Sequence, residues 1–191
     1  MLTNYFSRIT TLPIWTHVGA AVVTVVGFNW IKARLDASYA ASQHPVDYAT
    51  GQTAFDGATI KGYYAQMIET GTLDIYRTTQ VIDFGFILAI VCMGLFVCTL
   101  IARAAREGSW GRRVGLIAGL CAIVGALSDA IENGWSFIML ANPTDFANWL
   151  AIPYSGFASL KFALITLAML CLLISAVLTV IGRLTGKSNL G

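Results

Sequence analysis

Four long apolar stretches, roughly 12–31, 81–102, 114–140 and 154–181, constrain what this chain can fold into more than any other feature. Each reaches or exceeds the ~20 residues needed to cross a hydrocarbon core of about 30 Å as a helix. Water is absent there, so each segment must satisfy its own backbone donors and acceptors, which a helix does. Membrane strands are shorter, about 9–11 residues, and alternate in polarity, which these stretches do not. The chain is 57% apolar and only 12% charged, where soluble domains carry about 25% charged residues. The expectation is an all-α polytopic membrane protein: a single membrane domain over 1–191, built as a four-transmembrane-helix bundle.

The first stretch does not read as a cleaved secretory signal. It exceeds the short apolar core of such signals, and Lys32 and Arg34 stand between it and the small residues Ser38 and Ala40. Alternating spans place Arg8, Arg103, Arg106, Arg112, Arg113, Arg183 and Lys187 on one side with Glu107 as its only carboxylate. Lys32, Arg34, Lys61, Arg77 and Lys161 fall on the other side with nine carboxylates. The excess of basic residues marks the cytoplasmic side, so both termini are expected there.

One long external connection, about 32–80, joins the first two spans. It opens on a turn-forming segment around His44-Pro45-Val46-Asp47 and passes Gly51 and Gly57. Beyond Gly57, Ile60, Tyr63, Tyr64, Met67 and Ile68 recur at helical spacing, with Lys61, Gln66 and Glu69 between them. This pattern predicts an amphipathic helix on the membrane face or over the bundle, serving as a cap or as a lid hinged at Gly71. Trp30, Trp110, Trp149 and Tyr154 fall at the expected interfaces.

Asp83, Asp129, Glu132 and Lys161 are set inside the apolar stretches. A charge at bilayer depth is costly and faces a partner or a wet cavity, so these four are the candidate functional residues, catalytic or binding. On the third span Gly115, Gly119, Ala122 and Ala126 follow at spacings of three and four, a smooth helix-packing stripe. The same face continues to Asp129, Asn133 and Ser136, so the polar group points at neighbouring helices. One ammonium among three carboxylates leaves at least one of them to hold or share a proton.

The four cysteines, Cys92, Cys98, Cys121 and Cys171, all lie in apolar stretches and read as small buried hydrophobes. Two histidines are too few for a metal site, and none is expected. His17, alone in the first span, is the weak candidate for ligating a pigment or haem; a bis-histidine haem needs a second intramembrane histidine, and no cofactor is expected.

The ordered set Gly71-Thr-Leu-Asp-Ile-Tyr76, Gln80-x-x-Asp83, Asp129-x-x-Glu132-Asn133, Asn142-Pro143 and Ser159-x-Lys161 resembles a family of small four-helix bacterial membrane proteins. Its members carry D-x-x-E-N on the third span and a lysine early in the fourth. The likeness covers roughly 59–172, and the segment 72–75 departs from the glycine-arginine pattern of that family. It implies a common bundle and a shared polar centre (Asp83, Asp129, Glu132, Asn133, Lys161) in a bacterial inner, cytoplasmic, membrane, and it implies no activity.

Three functions suit such a centre. An ion-paired network that fixes helix register fits a non-catalytic accessory or assembly subunit of a larger membrane complex, the reading favoured by small size and the smooth stripe. Carboxylates with separated proton affinities would instead suit an enzyme, an acid/base isomerase or hydrolase acting on a lipid-like amphiphile. Proton-linked transport or small-ligand binding is the third reading. The expected partners are the lipid bilayer, a membrane protein or a second copy, and a lipid-like ligand. The short basic loop belongs to topology, and nucleic acid is not expected.

Overall fold

The computed structural model describes Phe6, residues 8–186 and residues 189–190. Lys187, counted above with the basic residues, lies outside the described residues. The described chain is all-helical, and four helices are long and apolar enough to cross a membrane. It is a multi-pass integral membrane protein.

The elements are α1 (Ile14–Ala41), α2 (Tyr48–Gln52), α3 (Gly57–Glu69), α4 (Leu73–Cys92), a π-helical turn (Met93–Cys98), α5 (Thr99–Ala104), α6 (Trp110–Ala141), a 3-10 turn (Asn148–Leu150) and α7 (Ala151–Thr185). The helices outrun the apolar stretches at the end carrying the long connection. α1 continues through Lys32 and Arg34 to Ala41, and α4 begins at Leu73. The connection is therefore shorter than 32–80, because hydrophobicity marks the span while hydrogen bonding carries the helix on. α6 ends at Ala141, before Asn142-Pro143, where proline disfavours the helical conformation of its predecessor. Pro153 lies in the first turn of α7, where its missing N–H removes no helical bond.

Contacts divide the chain into two compact units, and each of the four long helices contributes to both. The first comprises Met1–Phe28, Ala89–Gly125 and Ala163–Gly191. Its packing rests on small residues. A Cβ on Gly94 would stand 2.7 Å from the Gly119 carbonyl oxygen, and one on Gly119 would stand 2.7 Å from that of Gly94. The two backbones touch, as small-residue interfaces in membranes allow. A Cβ on Gly115 would likewise meet Ser175 Oγ at 2.7 Å and Ala102 Cβ at 2.9 Å. The Gly115–Ala126 stripe is thus spent on the chain's own helices: Ala122 is buried in this unit and Ala126 in the second.

The second unit comprises Asn29–Leu88 and Ala126–Phe162. Here α3 lies on the helix ends, with Ile60, Tyr64 and Met67 buried against Met139, Leu140, Phe146, Leu150 and Tyr154. The amphipathic helix is a cap on this unit. Burial of each such side chain contributes about 1.5–3 kcal/mol. Asp56 starts the helix by accepting from the Thr59 N–H at 2.9 Å, an N-cap that satisfies an otherwise unpaired donor. The Thr59 hydroxyl, which donates to the same carboxylate, and the Thr59 N–H hold the Asp56 carboxyl below its usual range, and the Thr50 bonds do the same for Asp47 at the start of α2. Lys61 Nζ donates to Asn148 Oδ1 at 2.8 Å. Gly57 is required beneath it, since a Cβ there would stand 2.6 Å from Asn148 Cα.

These contacts set a contrast between glycines. Gly94→Ala forces two helix backbones apart and is expected to destabilise by about 1–3 kcal/mol, whereas Gly134→Ala, with nothing within 4 Å of its added Cβ, is expected to be near neutral. Thermal unfolding in mild detergent compares the two.

Candidate functional site

The charged residues converge because each lies at a similar distance from one end of its helix. Asp83 is about ten residues after Leu73, Lys161 about ten after Ala151, and Glu132 about nine before Ala141. At 1.5 Å per residue these are distances of roughly 14–15 Å from the helix ends. All belong to the second unit.

Lys161 is the hub. Its Nζ lies 2.5 Å from Asp129 Oδ1 and also donates to Glu132 Oε2. Asp129 and Glu132 are three apart on α6, so both reach the same side, where α7 presents the lysine. Asp83 does not bond Lys161; Asn133 Nδ2 donates to its Oδ2 at 2.7 Å. Asp83, Asp129, Glu132, Asn133 and Lys161 are all buried, Glu132 and Asn133 completely. The structure brings the five predicted polar residues together, with Asn133 joining Asp83 to the α6 carboxylates.

Two properties set this cluster apart from a fully satisfied network. Three carboxylates face one ammonium, so complete ionisation would leave a net charge of −2 inside the protein, a state whose desolvation is not compensated. Second, buried atoms lack strict hydrogen-bond partners: Glu132 Oε1, Asn133 Oδ1, Ser136 Oγ and the Tyr64 hydroxyl. Ser136 lies one turn from Glu132 on α6, and the Tyr64 hydroxyl, brought in by the cap helix, faces Ser136 without full hydrogen-bond geometry. Burial raises the Tyr64 phenol above its usual range, which keeps it a neutral donor. Tyr76 and Tyr154 are buried in the same apolar core as Tyr64.

Sequence reasoning missed Tyr64 as a member of the site, because Tyr64 stood in the amphipathic pattern as an apolar position. It also missed an aromatic box around His44, whose ring centroid lies 5.3 Å from Tyr39, 5.2 Å from Tyr63 and 5.3 Å from Tyr76. Burial there holds the imidazole below its usual range, against the opposite pull of the Val46 carbonyl and Asp47.

His17 belongs to the first unit. Its Nε2 is 3.0 Å from the Phe96 carbonyl oxygen and 3.1 Å from Thr99 Oγ1. Phe96 belongs to the π-helical turn, whose altered bonding pattern accompanies this side-chain contact. His17 Nδ1 is buried with no partner among the described residues. All four cysteines are free. No group of three metal-ligating side chains among the described residues is arranged to hold a metal ion.

No family model matches the chain, and no curated protein or solved structure matches it. Function has to be argued from the cluster itself.

The hub geometry makes a definite energetic statement. Lys161→Met strands two buried carboxylates and is expected to cost about 3–5 kcal/mol. Adding Asp129→Asn or Glu132→Gln should return part of that loss, whereas adding Asp83→Asn should return less, because Asp83 bonds Asn133 instead. Double-mutant cycles by unfolding in detergent measure these couplings.

Proposed function

We propose that this membrane protein works through proton occupancy of its buried centre, as a proton-linked binding protein. The observation that carries the reading is the excess of two carboxylates over the single ammonium in a cluster with no exposed side chain. A small proton load relieves that excess without opening the site. The unpartnered Glu132 Oε1 is the acceptor best disposed to take it, with the Ser136 and Tyr64 hydroxyls next in line toward the cap. Buried water bridging such atoms is the usual means by which they are satisfied.

The polar row on α6 runs Ser136, Asn133, Glu132, Asp129 and then gives way to Ala126, Ala122 and Gly119. This pattern favours proton exchange from the capped end over passage across the membrane. The small-residue stripe, one of the supports for an accessory-subunit reading, is used in the chain's own packing. A catalytic reading requires the site to open, because Asp129, Glu132 and Lys161 side chains are at most 6% exposed. Both termini are expected on the cytoplasmic side, on the strength of the basic residues grouped there, and a bacterial cytoplasmic membrane is what the resemblance implies.

Infrared spectroscopy of the protein in lipid nanodiscs tests the proposal. A carboxylic-acid carbonyl band at neutral pH that shifts in deuterium oxide and is reduced by Glu132→Gln or Asp83→Asn is the expected result. Absence of such a band at neutral pH in the folded wild-type protein would refute proton occupancy.

A further inference from the structure

Away from the buried centre, a groove of about 490 Å³ is lined by Trp30, Ala33, Arg34 and Ala37 of α1 and Ile82 of α4. We propose that it binds an anionic phospholipid of the surrounding bilayer, with the lipid phosphate on Arg34 and the start of an acyl chain in the notch over Ala33, Ala37 and Ile82.

The charge around the groove favours an anion. Lys32 is paired with Asp36 one turn further along α1. No carboxylate among the described residues forms an ion pair with Arg34; its guanidinium carbon lies instead over the Trp30 ring, 4.9 Å from the centroid. Such stacking fixes the guanidinium plane and leaves its N–H groups for the two-pronged contact that arginine makes with phosphate. A second groove of the same volume, lined by Arg77, Thr78, Val81, Phe137, Leu140 and Ala141, offers a contrast. There Arg77 Nη1 already donates to Asp74 Oδ1 at 2.7 Å and Nη2 to the Leu140 carbonyl at 2.9 Å. Its charge and geometry are committed inside the protein; those of Arg34 are not.

Depth and shape fit a lipid. Arg34 lies three residues past the end of the apolar stretch at Ile31, about 4.5 Å along the helix, which is headgroup level, and Trp30 is the ring expected at that boundary. Ala33 and Ala37 recur at i and i+4, so they leave one continuous hollow on the α1 surface, closed behind by Ile82. A zwitterionic headgroup would bring its own cation to a site with an uncompensated arginine, which sets the preference for a net negative lipid.

The test is thermal unfolding of the full chain in mild detergent, titrated with phosphatidylglycerol, phosphatidylcholine or inorganic phosphate. Phosphatidylglycerol should raise the melting temperature more than phosphatidylcholine does. Arg34→Gln should weaken the apparent affinity for phosphatidylglycerol about fivefold, the effect of one basic residue near an anionic surface. Ala33→Leu keeps the charge, fills the notch at an exposed position and should also remove the preference. Equal responses to the two lipids in the wild type, or an unchanged preference in both variants, would overturn the proposal. A shift by inorganic phosphate equal to that by phosphatidylglycerol would overturn the lipid assignment.

Discussion

One ammonium held between two carboxylates is the constraint on which the second unit depends. Lys161 can enter a buried position only because Asp129 and Glu132 meet it there, and the two carboxylates can be buried side by side only because the lysine lies between them. Neither half would be stable in an apolar interior alone. The requirement fixes the rotation of α6 and α7 about their axes, since a turn of either helix by one residue, about 100°, would strand a charge. Asn133, next to Glu132 on α6, carries the same requirement on to Asp83 of α4.

The cap and the polar centre are linked through one side chain. Tyr64 buries an aromatic ring in the apolar core that holds α3 down, and its hydroxyl reaches the side of the centre occupied by Ser136. Anything that lifts α3 withdraws the hydroxyl from Ser136. Gly57, pressed against Asn148, and the Lys61 bond to the same asparagine hold one end of this helix. The other end runs out through Gly71, whose φ of +70° is a left-handed conformation that suits glycine. The cap helix and the polar centre therefore meet at Tyr64 and Ser136.

Much of this was legible in the sequence. The four spans follow from length and apolarity, and the convergence of Asp83, Asp129, Glu132 and Lys161 from their similar distances to the helix ends. The smooth Gly115–Ala126 face announced close packing. What could not be read was who meets whom. Spacing shows that Asp129 and Glu132 share a face, but not that Asp83 would take Asn133 while Lys161 took the other two, since that depends on helix rotations set by tertiary contacts. The stripe looked equally suited to a foreign helix or to Gly94, because small residues are smooth toward any partner. Helix ends were misjudged at Ala41 and Leu73 because hydropathy stops at the lipid boundary while backbone hydrogen bonding continues. Tyr64 escaped notice as a polar contributor because a tyrosine in an amphipathic pattern counts as apolar until its hydroxyl is located.

The account stands or falls on the Lys161 hub. Solid-state NMR on the protein in lipid bilayers, with ¹⁵N-labelled lysine and ¹³C-labelled aspartate and glutamate, reads the distance from the Lys161 ammonium nitrogen to each side-chain carboxyl carbon. Strong dipolar contacts from Lys161 to both Asp129 and Glu132, with a weaker one to Asp83, are the predicted pattern. A lysine coupled to neither α6 carboxylate, or coupled first to Asp83, would contradict the arrangement of the centre and the proton-linked function built on it.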